Sequence, residues 1–98
     1  MVIEPQVYAA PANAAAGVTT TVLIAENAKR RSLILTNDSA ALVYLGVGAA
    51  AVMNKGLRIE VSGGVVKFGG ETGLPLTTQA INGIVASGTS TVLVNEAT

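Results

Sequence analysis

The chain has 98 residues, which is enough for one folded domain but not for a second core. Only 12% of the residues are charged, about half the usual share, and six basic residues balance six acidic ones. This balance argues against a surface that binds nucleic acid or an anionic membrane by charge. A chain with so little charge is poorly suited to remain a free monomer, so we expect it to pack against copies of itself or a larger body.

The residue types that are missing restrict the chemistry. The chain has no His and no Cys, so it lacks the commonest general base, the thiolate nucleophile and the preferred ligands of transition metals. It contains neither Ser-x-x-Lys nor Gly-x-Ser-x-Gly, and its acidic residues do not follow the spacing of a calcium loop. We therefore predict no catalytic residue, no metal ligand and no cofactor, and we do not expect an enzyme.

Neither a leader nor a membrane span is expected from the sequence. The first five residues have no basic region followed by an apolar stretch, as a signal peptide would. The longest uncharged apolar run, residues 40–53, is too short to cross a bilayer as a helix and is interrupted by Gly46 and Gly48. The absence of Cys is compatible with any redox compartment and fits assembly in the cytosol, and we expect no membrane partner.

Residues 1–17 differ in composition from the rest and are predicted to form an extended N-terminal arm. Pro5 and Pro11 favour extended geometry in the residue before each of them. Pro11 and Asn13 interrupt the alanine-rich stretch that could otherwise form a helix. A disordered tail is the alternative for the isolated protein. Free tails are usually polar, however, whereas this segment carries apolar side chains, which favours an arm that docks on a partner. Its candidate interface residues are Val2, Ile3, Pro5, Val7 and Tyr8.

Residues 18–98 are predicted to form a single all-β domain. Short runs rich in β-branched residues alternate with turn residues such as Asn37-Asp38-Ser39, Asn54-Lys55-Gly56 and the hairpin signal Ser87-Gly88. In the clearest run Leu57, Ile59 and Val61 alternate with two charged residues and should face the core. This spacing of short strands indicates a β-sandwich or a jelly-roll-like barrel. The predicted strands are residues 18–25, 32–36, 42–47, 57–61, 65–68, 76–78, 80–86 and 89–96.

One basic cluster, Lys29-Arg30-Arg31, separates the first two predicted strands of the domain. It could contact an acidic surface or phosphate on a partner, or it could be a solvated corner, because isolated basic triplets are common and nucleic-acid binders carry broader patches. Arg30 and Arg31 are therefore candidate interface residues, with the solvated corner as the alternative.

Two stretches of the sequence resemble small virion proteins of tailed bacteriophages. The first, AKRRSLILTNDSAALVYLGVG (28–48), joins a basic corner, an apolar strand, a polar turn and a Val-Tyr-Leu-Gly strand. The second, LPLTTQAINGIVASGTSTVLVNE (74–96), is similar to the closing hairpin of such proteins. The resemblance covers residues 18–96 as a pattern, without the arm. It points to capsid decoration or cement proteins, which are usually jelly-roll-like and often trimeric, and it brings no catalytic or metal-binding residue with it.

The resemblance implies a homotrimer on the capsid exterior of a virion, bound to the major capsid protein and assembled in the host cytoplasm. Its function would be to stabilise the capsid. A structural role in the tail, the baseplate or the anchoring of a fibre is the first alternative, since such proteins also use oligomeric β-domains and arms. A receptor- or carbohydrate-binding module is a second alternative. Such modules usually present aromatic platforms, and this chain has no Trp.

Overall fold

The computed structural model of the chain describes residues 7–69 and 73–98. All regular secondary structure in these residues is β-strand, which confirms the all-β prediction. The eight strands are β1 (Ala12–Ala16), β2 (Thr21–Ile24), β3 (Ser32–Asn37), β4 (Val43–Val47), β5 (Leu57–Ile59), β6 (Gly64–Phe68), β7 (Ile81–Ile84) and β8 (Ser90–Ala97).

The strands form two four-stranded sheets in which all neighbours are antiparallel. Sheet I has the order β1-β8-β3-β6, and sheet II has the order β2-β7-β4-β5. The apolar faces of both sheets contribute to a single core, an arrangement consistent with a β-sandwich. Each face is built by strands that alternate buried and more exposed residues, as expected for sheets that are covered on one side.

Branched aliphatic side chains fill most of the core. Leu33 and Leu35 of β3 face inward from sheet I, and Ile59 and Ile81 meet them from sheet II; all four are fully buried. Phe68 is the one aromatic residue in this cluster. At about 1.5–3 kcal/mol for each large apolar side chain removed from water, this core accounts for the main stabilising contribution to the fold.

The structure differs from the predicted strands in two segments, one before the first predicted strand and one at the sixth. Residues 12–16, predicted to belong to the arm, form β1 and pair with β8 at the edge of sheet I. Residues 76–78, predicted to be a strand, are not one. The carbonyl groups of Thr77 and Gln79 instead accept hydrogen bonds from the buried Arg30 side chain. The carbonyl of Thr78 also accepts a 2.8 Å hydrogen bond from the amide of Asn27, but no ladder with a neighbouring strand forms here within residues 7–69 and 73–98.

The alternating run at residues 57–61 is partly confirmed. Ile59 is fully buried and Leu57 is half-buried, but β5 ends at Ile59 and Val61 is exposed. The chain turns immediately afterwards, because Ser62 and Gly63 adopt positive φ angles of 52° and 100°. This turn carries the chain from sheet II to β6 in sheet I, and it removes Val61 from the core.

The prediction of a closing hairpin at Ser87-Gly88 is wrong. Strand β7 belongs to sheet II and β8 belongs to sheet I, so this connection crosses between the two sheets. Among the strands of the described residues, β4 and β5 are the only two that are consecutive in the chain and also paired. Their turn contains Asn54 and Gly56 with φ angles of 62° and 74°, as the sequence Asn54-Lys55-Gly56 suggested.

Candidate interface

The N-terminal candidates divide into those within and those beyond the described residues. Val2, Ile3 and Pro5 lie outside them. The amide of Val7 donates a hydrogen bond to the carbonyl oxygen of Thr98 (3.0 Å), and the amide of Thr98 donates one to Val7 (2.9 Å). The backbone of this segment is therefore paired with the end of β8 in its own chain.

The side chains of the same segment remain exposed. Val7 is 69% exposed and Tyr8 is 52% exposed. Tyr8 lies opposite Ala97, which in turn lies opposite Ser32 of β3. Ser32 lies two positions before Ile34 in β3, so alternation along the strand puts Tyr8 on the same side of sheet I as Ile34, away from the core. Ala97 and Ser32 are themselves buried, but Tyr8 is half exposed and its ring is available to a partner on that side.

Arg30 is buried and belongs to the fold rather than to the interface for which it was a candidate. Only 2% of the residue is exposed, and Nε donates a 2.6 Å hydrogen bond to Oε2 of Glu96. One terminal nitrogen donates to the carbonyls of Thr77 (3.2 Å) and Gln79 (2.8 Å), and the other donates to Ala25 (2.7 Å). Arg30 thereby connects the end of β2, the segment before β7 and the end of β8. The solvated-corner alternative is equally wrong for Arg30.

This role could not be read from the sequence because its signal is not local. Glu96 is 66 positions away along the chain, and the other three acceptors are backbone carbonyl groups. A basic triplet in a sequence does not reveal which of its members turns inward. Arg31, the next residue, is exposed, and its amide donates a 2.8 Å hydrogen bond to the carbonyl of Ala97. Arg31 therefore lies on the surface near the position of Tyr8.

A broad and almost uncharged surface covers the outside of sheet I. We call it the outer face of sheet I, and its residues, identified from strand register and burial, are Tyr8, Asn13, Ala15, Ile34, Thr36, Val65, Lys67, Thr91, Leu93 and Asn95. Lys67 is the only charged member of this set. Val65 is 49% exposed, and Ile34 and Leu93 are half-buried without belonging to the core cluster.

The polar side chains of the outer face of sheet I do not form hydrogen bonds with one another. Asn13, Thr36, Thr91 and Asn95 form no side-chain hydrogen bond within residues 7–69 and 73–98. An amide or hydroxyl in this state is hydrogen-bonded to water and can exchange that water for a partner's group at little cost. The face thus combines apolar area with polar groups that can still form hydrogen bonds.

The outside of sheet II is different. The Tyr44 hydroxyl donates to Oδ1 of Asn54 (3.0 Å), and Nδ2 of Asn82 donates to the carbonyl of Ala49 (2.6 Å). Arg58 and Glu60 form an exposed ion pair at 2.9 Å. The polar groups on this side are therefore largely satisfied within the chain, and the ion pair places two charges at its edge.

At one border of the outer face of sheet I lies an open depression of about 340 Å³. Val65, Val66 and Lys67 of β6 form one wall, and Gly73 and Leu74 form the other. Leu74 is held there by a parallel bridge to Phe68, and its amide donates a 2.8 Å hydrogen bond to the carbonyl of Lys67. The depression extends the apolar part of the face beyond the edge strand.

Ile34, Val65 and Leu93 were not candidates from the sequence. They occur in the runs SLILT, VVKF and TVLV, in which apolar residues point to both sides of the sheet. The periodicity of such runs cannot tell the inner from the outer face. Burial along the strands separates the two sides, because Ile34 and Leu93 lie between buried neighbours and Val65 lies between two half-buried ones.

Within residues 7–69 and 73–98, no three acidic side chains come together in a way that could hold a metal ion. This part of the chain also contains no helix that could span a membrane. Comparison with protein-family models, with curated proteins and with solved structures finds no match.

Proposed function

We propose that the protein is a structural virion protein that binds the outside of a bacteriophage capsid and stabilises it, without enzymatic activity. The outer face of sheet I is the observation that supports this proposal best. It presents apolar area and free polar groups with a single charged residue, Lys67. A face of this composition is typical of a protein that works while packed against another surface. The sequence resemblance to decoration and cement proteins supplies the identity of that surface.

The order of the strands supports a jelly-roll topology as the finer description of the fold. The first strand pairs with the last, the second with the seventh, the third with the sixth and the fourth with the fifth. Successive pairs of this series lie in opposite sheets. A long antiparallel ribbon that folds over on itself produces this pattern, and the eight-stranded jelly roll is built in this way.

The proposed mechanism relies on many contacts of moderate strength. Each copy binds the major capsid protein through the outer face of sheet I, with Tyr8 of the N-terminal segment beside it, and copies associate with one another, as trimers by analogy with the decoration proteins. An oligomer that touches several capsid subunits gains avidity from simultaneous contacts. Expansion or rupture of the shell would have to break these contacts together, which raises the force that the capsid withstands.

Co-sedimentation tests the proposal directly. The purified protein is mixed with heads, and separately with tails, from virions that lack it, and bound protein is measured after centrifugation. We expect saturable binding to heads and none to tails. Binding to tails alone would favour a tail, baseplate or fibre-anchoring role, and absence of binding to both would overturn the assignment to a virion surface.

A further inference from the structure

Strand β1 is attached to the rest of the molecule mainly by its backbone. It is an edge strand, and within the described residues it pairs with β8 alone. Four of its five residues are Ala and the fifth is Asn13. Ala16 is the only member that is fully buried, and Ala14 is partly buried against the core. Separation of β1 from β8 would therefore expose little apolar area and would chiefly break backbone hydrogen bonds.

The same β8 edge also holds the residues before β1. The amide of Ala9 donates a 2.9 Å hydrogen bond to the carbonyl of Glu96, and Val7 and Thr98 bond to each other in both directions. Between this pairing and β1 the register shifts by one residue, from Tyr8 opposite Ala97 to Ala12 opposite Val94. Residues 7–16 thus form one extended segment that follows a single strand, β8, along its whole length.

A short connection joins this segment to β2. Residues 17–20 link the two sheets, and a side chain added at Gly17 would have no atom within 4 Å. The connection is fixed at its two ends, where the Gly17 carbonyl accepts from the amide of Val85 (3.0 Å) and Thr20 Oγ1 accepts from the amide of Ala51 (2.8 Å). The exposed residues Val18 and Thr19 lie between these anchors and can act as a pivot.

We propose that residues 7–16 are exchanged between copies of this chain, so that β1 of one copy pairs with β8 of the next. The proposal rests on the self-association proposed above and names its contact. The partner that accepts the segment is a second copy of this chain. On its β8 the segment would restore the hydrogen bonds and the alanine packing that β8 makes in a single chain. Exchange of an identical element is a route to oligomers that needs little new surface. Because the donor and acceptor surfaces differ, the contact can close a ring of three.

Paired cysteines can distinguish the exchanged from the closed arrangement, since the chain has no Cys of its own. Ala15 and Thr91 are exposed and lie directly opposite each other on β1 and β8, within the separation that a disulfide can bridge. The test variant is Ala15→Cys with Thr91→Cys. The matched control is Thr36→Cys with Leu93→Cys, which joins β3 to β8 inside the body of the domain.

Both variants are oxidised at a concentration where light scattering shows oligomers and are then denatured without reductant. We expect the Ala15/Thr91 variant to give bands at two and three times 9.8 kDa, whereas the control stays at 9.8 kDa. When oxidised in very dilute solution the Ala15/Thr91 variant should become locked as a monomer. When this locked monomer is concentrated, it should not associate until reductant is added. Asn13→Cys with Leu93→Cys repeats the test at a second opposed pair if the first variant does not fold.

Two other results would contradict the exchange. If oligomers of the Ala15/Thr91 variant yield only the 9.8 kDa band, and the locked form associates like the unmodified chain, exchange is excluded while self-association stands. If the unmodified chain stays a monomer at every concentration, self-association and exchange are both excluded. Binding to heads is measured separately, so the proposed capsid role can survive or fail independently of either result.

Discussion

At the scale of single residues, Arg30 and Glu96 determine how the ends of the sandwich are held. The guanidinium of Arg30 is fully buried and the side chain of Glu96 is 17% exposed. A charge removed from water is tolerated when hydrogen bonds replace its hydration, and here one carboxylate and three carbonyl groups do so. The residue that looked like a surface contact in the sequence is a connection between three segments of the chain.

Replacement of Arg30 should therefore be costly. In Arg30→Met the carboxylate of Glu96 and the carbonyls of Ala25 and Gln79 lose their donor, and we expect a loss of about 3–5 kcal/mol in the free energy of unfolding. Arg58→Met is the matched control, because Arg58 belongs to an exposed ion pair. Its change should cost less than about 1 kcal/mol. Urea titrations of both variants provide the measurement, and equal losses would show that the Arg30 network contributes no more than a surface pair.

At the scale of elements, strands were predictable where branched residues were frequent, and not where they were absent. The runs that became β3, β4, β6 and β8 were assigned within one or two residues of their observed ends. Strand β1 was not identified as a strand, because alanine has low β-propensity and its small side chains give no period-two signal. The pairing with β8 makes it a strand, and that pairing is a long-range property. Residues 76–78 (Leu-Thr-Thr) show the converse, because their branched side chains fit a strand while their backbone forms no ladder with another strand in the part of the chain that the structure describes.

Strand β5 offers a test of the inward and outward assignment at this scale. Ile59 is fully buried against the core, whereas Glu60 follows the strand and its side chain is 61% exposed. Ile59→Ala should lower the free energy of unfolding by about 2–4 kcal/mol, since it removes buried methylene groups and leaves a cavity. Glu60→Ala should stay within about 0.5 kcal/mol. Chemical denaturation followed by circular dichroism measures both, and similar costs would contradict an orientation of β5 in which Ile59 faces the core.

At the scale of the whole molecule, the two sides of the sandwich differ in how their polar groups are satisfied. The outside of sheet II satisfies its polar groups within the chain, while the outer face of sheet I leaves side-chain amides and hydroxyls free. The sequence alone could support only the expectation that the protein packs against something, because low charge is a property of composition. It could not indicate which side does so. That distinction needs the register, which separates Ile34 and Leu93 from the core residues beside them.

Two matched substitutions on opposite sides of the molecule can locate the proposed capsid contact. Val65 is 49% exposed on β6, an edge strand of sheet I, and Val22 is 57% exposed on β2, an edge strand of sheet II. Val65→Lys and Val22→Lys therefore introduce the same charge at comparable positions on opposite sides of the molecule. In the free protein both lysines reach water, so neither change should alter the free energy of unfolding by more than about 0.5 kcal/mol.

Against the capsid the two variants should behave differently. A lysine at position 65 would be buried without a partner, and we expect Val65→Lys to weaken binding to heads at least tenfold, about 1.4 kcal/mol. Val22→Lys should bind like the unmodified protein. Titration of heads with each variant in the co-sedimentation assay gives the two affinities, and circular dichroism verifies that both remain folded. The reverse order of affinities would move the contact to sheet II. Full-strength binding by both variants would exclude the area around Val65 and direct attention to the surface near Tyr8 and Arg31, where the end of β8 meets the N-terminal segment.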